Sequence, residues 1–211
     1  MYNYILWDND GVLVDTEYWY FQSNLRALSE LGVDLDKSTY LAYMSDGKSC
    51  WDIARESGVD LCEIDRKRKE RDTYYQDYIQ QKDIEISGVK SVLESLSTTH
   101  KMAIVTTSKR VDFDLIHRNP DILSFMDFFI VREDYCKSKP HPEPYLFGLE
   151  KFGAKASETL VVEDSQRGLR SAISAGIDCA IVHNEFTKTH DFTGAKYFIE
   201  NLSELPRLLK V

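Results

Sequence analysis

The chain has 211 residues, 43% of them hydrophobic, enough for one substantial domain or for a core carrying a smaller insertion. Its formal net charge of -9 argues against a nucleic-acid partner, which needs a basic surface to displace phosphate counterions. No run reaches membrane-span length, no leader pattern opens the chain, and Cys50, Cys62, Cys136 and Cys179 lack zinc or disulfide spacing, so a cytoplasmic, membrane-free protein is expected.

An apolar run at 4–7 opens the pattern and reads as a buried strand, being nearly continuous rather than alternating. From residue 16 to residue 85 no convincing strand occurs. Tyr18, Phe21, Leu25 and Leu28 form a helical stripe ending near Gly32, and further helices are expected over 49–57 and 63–81. The basic run Arg66, Lys67, Arg68, Lys69 and Arg71 is interleaved with Glu63, Asp65, Glu70 and Asp72, which reads as a solvated helix face. Trp19, Trp51, Tyr74, Tyr75 and Tyr78 read as packing among these helices rather than as a base-stacking surface.

The strand rhythm then resumes. A helix carries Val89, Val92, Leu93 and Leu96, and strands are expected at 102–105 and 128–131. A helix with Tyr145, Leu146, Leu149 and Phe152 is closed by Gly153, and strands follow at 160–162 and 179–182. The expectation is an α/β fold: a Rossmann-like parallel sheet built from residues 1–15 and 86–211, with a helical domain of residues 16–85 inserted after the first strand.

Open parallel sheets bind ligands outside the carboxyl ends of their strands. The residues at those ends are Asp8 and Asp10, then Thr106 and Ser108, then Glu163 and Asp164, with Lys139 in the segment after the third strand. Carboxylates crowded into one crevice raise one another's pKa, and a hard divalent cation such as Mg2+ resolves the conflict. Lys139 adds positive charge for an anionic phosphate. The Thr106 hydroxyl and the backbone N–H groups around Asp10 and Thr107 can donate to phosphoryl oxygens. A carboxylate nucleophile splits the slow hydrolysis of a phosphate monoester into two steps, and a second carboxylate can protonate the leaving alkoxide and then activate water.

Alone, Asp8-Asn9-Asp10-Gly11 is also good turn chemistry, and Thr106, Ser108 and Ser165 also suit helix caps. An EF-hand reading fails, because it puts Leu6 at the first ligand and a strand where a helix should precede the loop. The four segments together are more specific. Asp8-Asn9-Asp10-Gly11-Val12-Leu13-Val14-Asp15, Ile104-Val105-Thr106-Thr107-Ser108, Ser138-Lys139-Pro140-His141-Pro142 and Val162-Glu163-Asp164-Ser165 resemble, in order, the four signatures of the haloacid dehalogenase superfamily. Asp15-Thr16 before a helical insertion, Ser108-Lys109, and Glu163-Asp164-Ser165-Gln166 are similar to its β-phosphoglucomutase-like subgroup.

The resemblance implies Asp8 as nucleophile and magnesium ligand, and Asp10 as general acid/base with its backbone carbonyl on the metal. It implies Thr106, Thr107, Ser108 and Lys139 around the phosphoryl group, Asp164 and Glu163 on magnesium, and a helical cap that closes over the substrate. Three places depart from the pattern. Asn9 replaces an apolar residue, and Tyr20 stands where the mutases carry histidine, while Gly47-Lys48-Ser49 stands where they carry a Gly-x-Ser-Arg loop. Tyr20, Lys48 and Ser49 are the candidate substrate-facing residues of the cap. The expected activity is a monomeric, Mg2+-dependent phosphatase of small phosphorylated metabolites such as sugar phosphates. A phosphosugar mutase is the alternative, and a phospho-receiver protein a more distant one.

Overall fold

In a computed structural model, which describes residues 2–45, 48–119 and 121–210, the chain forms two compact units. One comprises Met1–Asp15 with Glu85–Val211, the other Thr16–Ile84.

The first unit is built on strands β1 (Tyr4–Trp7), β2 (Lys101–Val105), β3 (Phe128–Ile130), β4 (Thr159–Glu163), β5 (Asp178–Val182) and β6 (Tyr197–Ile199). Among the described residues they make one six-stranded sheet in the order β3-β2-β1-β4-β5-β6, parallel throughout. Trp7 stands level with Ile104 on one side and Val162 on the other, so β1, β2 and β4 end together. That shared edge is where Asp8, Thr106 and Glu163 emerge. Glu163 is itself the last strand residue rather than the first of the following loop. The strand β6 was not expected, and it lies at the edge of the sheet.

Because side chains alternate faces along a strand, the near-continuous apolar runs supply two cores. Ile5, Trp7, Ile104 and Val162 pack with Val92, Leu93 and Leu96 of the helix α5 (Val89–Ser97) and with Phe113. Leu6, Val105 and Val161 pack on the opposite face with Tyr145, Leu149, Leu169 and Ala172. Phe113 belongs to α6 (Arg110–Ile116), Tyr145 and Leu149 to α7 (Glu143–Phe152), and Leu169 and Ala172 to α8 (Gln166–Ser174); α9 (Leu205–Leu209) closes the chain. Gly153 adopts φ +64° and ends α7, the left-handed residue that a helix C-terminus favours.

The second unit contains α1 (Glu17–Ser29), α2 (Lys37–Ser45), α3 (Trp51–Glu56) and α4 (Leu61–Gln81). The helix α1 packs along α4, burying Phe21, Ala27 and Leu28 from the one and Ile64, Tyr75 and Ile79 from the other. Asp60 caps α4 by accepting from the N–H groups of Cys62 and Glu63. The tyrosines and tryptophans pack within the unit: Trp19 on Tyr78, Tyr20 on Tyr75, and the Trp51 indole N–H on Asn24 Oδ1 at 2.8 Å. The solvated-face reading of the basic run holds for Arg66, which pairs with Glu63 and Glu70, and fails for Lys67 and Arg71. Both are buried, Lys67 against Glu30 and Glu70, Arg71 over the Tyr20 ring with its carbon Cζ 4.5 Å from the centroid.

The chain returns to the sheet unit at Glu85 rather than at Ile86. There an isolated antiparallel bridge joins Glu85 to Val14. Among the described residues no helix is long and apolar enough to cross a membrane.

Candidate active site

The turn after β1 is shaped around one carbonyl. Asn9 O accepts from the N–H groups of Val12, Leu13 and Val14, and Gly11 takes φ +80°. A Cβ at Gly11 would stand 2.3 Å from Asp164 Oδ2, so only glycine lets this turn lie against the end of β4. The turn thereby presents Asp8 and Asp10 beside the ends of β2 and β4.

Lys139 is the positive centre of the site. Its ammonium donates to Asp8 Oδ1 at 2.7 Å, Glu163 Oε1 at 2.8 Å and the Val105 carbonyl at 2.8 Å. Glu163 is fully buried and further accepts from the Tyr145 hydroxyl at 2.8 Å, the Ser165 hydroxyl at 3.0 Å and the Asp164 N–H at 3.2 Å. Gly168 is what makes room for that carboxylate, since a Cβ there would stand 1.8 Å from Glu163 Cδ. Burial alone would neutralise these groups, but their mutual charge decides otherwise. Burial works to lower the Lys139 pKa, and Asp8 and Glu163 overcome it and raise it. Burial works to raise Glu163, and Lys139 overcomes it and lowers it.

Asp8 fares differently. Burial, followed by the nearby Glu163 charge, raises it to about 7 despite the opposing pull of Lys139. A single ammonium does not offset the carboxylates gathered here. Asp8, Glu163 and Asp164 each offer a carboxylate oxygen, and these oxygens lie within 4.8 Å of one another. All-oxygen donors in excess negative charge fit a hard divalent cation.

Asp10 sits across the same strand ends. Its Oδ2 accepts from the Ser108 hydroxyl at 2.6 Å, the Thr106 hydroxyl at 3.2 Å and the Asn9 amide at 3.3 Å. Ser108 N–H in turn donates to Thr106 Oγ1 at 3.0 Å, which fixes the hydroxyls in this bend. Thr107, between them, is half-buried. Asn9, fully buried, has its Oδ1 2.7 Å from His117 Nε2. Since the Asn9 amide NH2 is the end turned to Asp10, His117 is the donor in this pair. Burial pushes the His117 pKa down to about 4, with Asp10 opposing, so the ring is neutral at pH 7.

Asp8, Asp10, Thr106, Ser108, Lys139, Glu163 and Asp164 therefore belong to one linked cluster in the sheet unit. Tyr20, Lys48 and Ser49 lie in the helical unit, each with different neighbours. Tyr20 is part-exposed beneath Arg71, whose Nε and Nη1 have no hydrogen-bond partner among the described residues. Lys48 is exposed near the Tyr43 ring. Ser49 donates its N–H to Asp52 Oδ2 and accepts from Trp51 N–H, opening α3. Gly47 lies outside the described residues.

Sequence reasoning missed His117, Tyr145, Gly168 and Asn184 as parts of this cluster. Tyr145 was hidden in an apolar helical stripe. Asn184 was findable, because it lies two residues past the end of β5, at the edge of the sheet where ligands gather, and its amide donates to Asp164 Oδ2 at 2.9 Å.

Known proteins resemble this chain over nearly its whole length. Protein CbbY of Rhodobacter capsulatus is 28% identical, covering 94% of this chain and 93% of its own. A phosphorylated carbohydrates phosphatase of Thermotoga maritima is 28% identical, covering 85% of each chain. A CbbY variant from Rhodobacter sphaeroides, solved in complex with xylulose-(1,5)bisphosphate, shares the fold at a TM-score of 0.82 and 20% identity, over 97% of this chain and 96% of that one. A profile of haloacid dehalogenase-like hydrolases matches residues 5–182, spanning every group of the cluster from Asp8 to Asp164, and the chain belongs to that hydrolase family.

Proposed function

We propose that this protein is a phosphatase of phosphorylated carbohydrates that works through a phosphorylated Asp8. The observation that carries this reading is the Lys139 ammonium held between Asp8 and Glu163, with the hydroxyl-bound Asp10 carboxylate in the same cluster. Lys139 orients Asp8 and offers charge to the incoming phosphate. The Asp8 carboxylate attacks phosphorus, the bond from phosphorus to the sugar oxygen breaks, and Asp10 delivers a proton to that oxygen. Asp10, left as a carboxylate, then takes a proton from water as the water oxygen attacks the acyl phosphate, which frees inorganic phosphate, restores the Asp8 carboxylate and returns Asp10 to its protonated form.

Thr106 and Ser108 hold Asp10 in place and, with the Thr107 backbone, line the phosphoryl site. Asp8, the Asp10 carbonyl and Asp164, supported by Glu163, would hold Mg2+. When bound, that ion offsets the carboxylate charge and stabilises charge building on the phosphoryl oxygens. Substrate choice is assigned to the helical unit through Tyr20, Lys48 and Ser49. The names of the relatives support a sugar phosphate as substrate, and tyrosine at position 20 favours hydrolysis over mutase chemistry.

The test is phosphate release from a panel of sugar phosphates and simple monoesters, with Mg2+ and with chelator, for wild type and Asp8→Asn. Metal-dependent release that falls to background in the variant is expected. Release by Asp8→Asn at the wild-type rate would refute the mechanism.

A further inference from the structure

We infer that Asn184 is a positioning residue for the cation site, holding the Asp164 carboxylate through one of its oxygens and so fixing the orientation in which that carboxylate would meet the metal. This rests on the reading of Asp164 as a Mg2+ ligand given above.

Asn184 lies two residues beyond the end of β5 (Asp178–Val182). Its Oδ1 accepts from the Phe186 N–H at 2.8 Å, while its Nδ2 donates to Asp164 Oδ2 at 2.9 Å and to the Gly11 carbonyl at 3.4 Å. These contacts leave no choice of amide orientation. Turned over, the side chain would set its oxygen against a carboxylate and a carbonyl, and its NH2 against an N–H. The Thr187 N–H donates to the Asn184 carbonyl at 3.1 Å, so the amide projects from a short hydrogen-bonded turn.

The other side of the contact is equally shaped. Asp164 is 2% exposed, and Gly11 is the residue whose missing Cβ leaves space for both partners. A Cβ there would stand 2.3 Å from Asp164 Oδ2 and 2.5 Å from Asn184 Nδ2. The loops after β1, β4 and β5 are thereby joined through one amide. A neutral donor suits this place. It restrains the carboxylate without bringing a positive charge that would compete with a cation for it, as an ammonium would. Partners of this kind, bonded to a ligand rather than to the ion, typically govern metal affinity by about 10- to 100-fold.

The test uses Mn2+, a hard cation suited to the same oxygen donors, counted free in solution by electron paramagnetic resonance. It is titrated into wild type, Asn184→Ser, Asn184→Ala and Asp164→Asn. Serine keeps an oxygen for the Phe186 N–H, as serine does in such turns, but is too short to reach Asp164. Both Asn184 variants are expected to bind Mn2+ about 10- to 100-fold more weakly. They should also need correspondingly more Mg2+ for half-maximal phosphate release, with kcat at saturating Mg2+ changed far less. Wild-type Mn2+ affinity in Asn184→Ser would overturn the inference, because closing the turn would then be the whole role of Asn184. If Asp164→Asn loses binding while Asn184→Ser keeps it, this inference falls and the metal assignment stands. If Asp164→Asn also binds normally, both fall.

Discussion

His117 offers a clean physical test of the buried polar core behind Asp10. The residue is 7% exposed, its ring packs tilted against Phe113 with centroids 4.5 Å apart and donates to Asn9, and burial brings its pKa down to about 4 from an ordinary 6.5. Between those two values the unfolded chain binds a proton at this residue and the folded chain does not, so folding becomes less favourable as pH falls. The contribution is fully present above about pH 6.5, declines toward pH 4 and is level below that. A gap of about 2.5 pH units at about 1.4 kcal/mol each amounts to roughly 3 kcal/mol.

The perturbation is His117→Gln, which retains an amide donor for Asn9 Oδ1 and does not titrate. At pH 7.5 it should cost about 1 kcal/mol or a little more, through imperfect replacement of one hydrogen bond and one ring contact. Urea unfolding of both proteins in chelator is followed from pH 7.5 to pH 4. Other titrating groups, Asp8 among them, are common to the two proteins and cancel in the difference. The difference should swing by roughly 3 kcal/mol in favour of the glutamine variant as pH falls. A constant difference across this range would refute the reasoning, and a His117 pKa near 6.5 by NMR titration would locate the error in its burial.

Asp10→Asn should slow the single-turnover release of alcohol from alkyl phosphates by about 10²–10⁴-fold while sparing that first step for esters with acidic leaving groups such as p-nitrophenyl phosphate; equal losses on both in that first step would remove Asp10 from the general-acid role. Gly168→Ala should lower the thermal midpoint by several degrees and reduce phosphate release. Its Cβ would stand 1.8 Å from Glu163 Cδ and push a buried carboxylate off Lys139, at a cost of about 3 kcal/mol or more. An unchanged midpoint in differential scanning calorimetry would show that α8 (Gln166–Ser174) yields without strain.

The sheet was legible wherever strands are buried on both faces, because β1, β2, β4 and β5 then carry near-continuous apolar runs. The edge strand β6 (Tyr197–Ile199) escaped notice. It is three residues long and leaves Phe198 63% exposed, so it lacks that pattern. The helix α2 (Lys37–Ser45) was missed because its residues show no clear amphipathic stripe. It is opened by Asp36, whose Oδ1 accepts from the Thr39 N–H and the Ser38 hydroxyl.

Asp8, Asp10, Thr106, Lys139 and Asp164 could be picked out because strand ends are where a parallel sheet gathers ligands. What the sequence could not convey was who holds whom. Ser108 reads as a phosphate contact and is found donating to Asp10, while Glu163, read as a metal ligand, is bound to Lys139, Tyr145 and Ser165. Burial of Lys67 and Arg71 within a charged run depends on packing between α1 and α4 that no local pattern encodes.

The bridge between Val14 and Glu85 sets the two ends of the 16–84 excursion side by side using residues of the sheet unit alone. To the sheet unit the helical segment is a loop whose ends are already joined. Closure entropy grows only with the logarithm of loop length, so shortening that loop tenfold would alter the closure free energy by about 2 kcal/mol. Every side chain of the carboxylate and lysine cluster comes from outside the loop. Mutation can therefore rewrite, lengthen or exchange residues 16–84 and leave the phosphoryl-transfer geometry almost untouched, which gives one catalytic apparatus a physical route to many substrates.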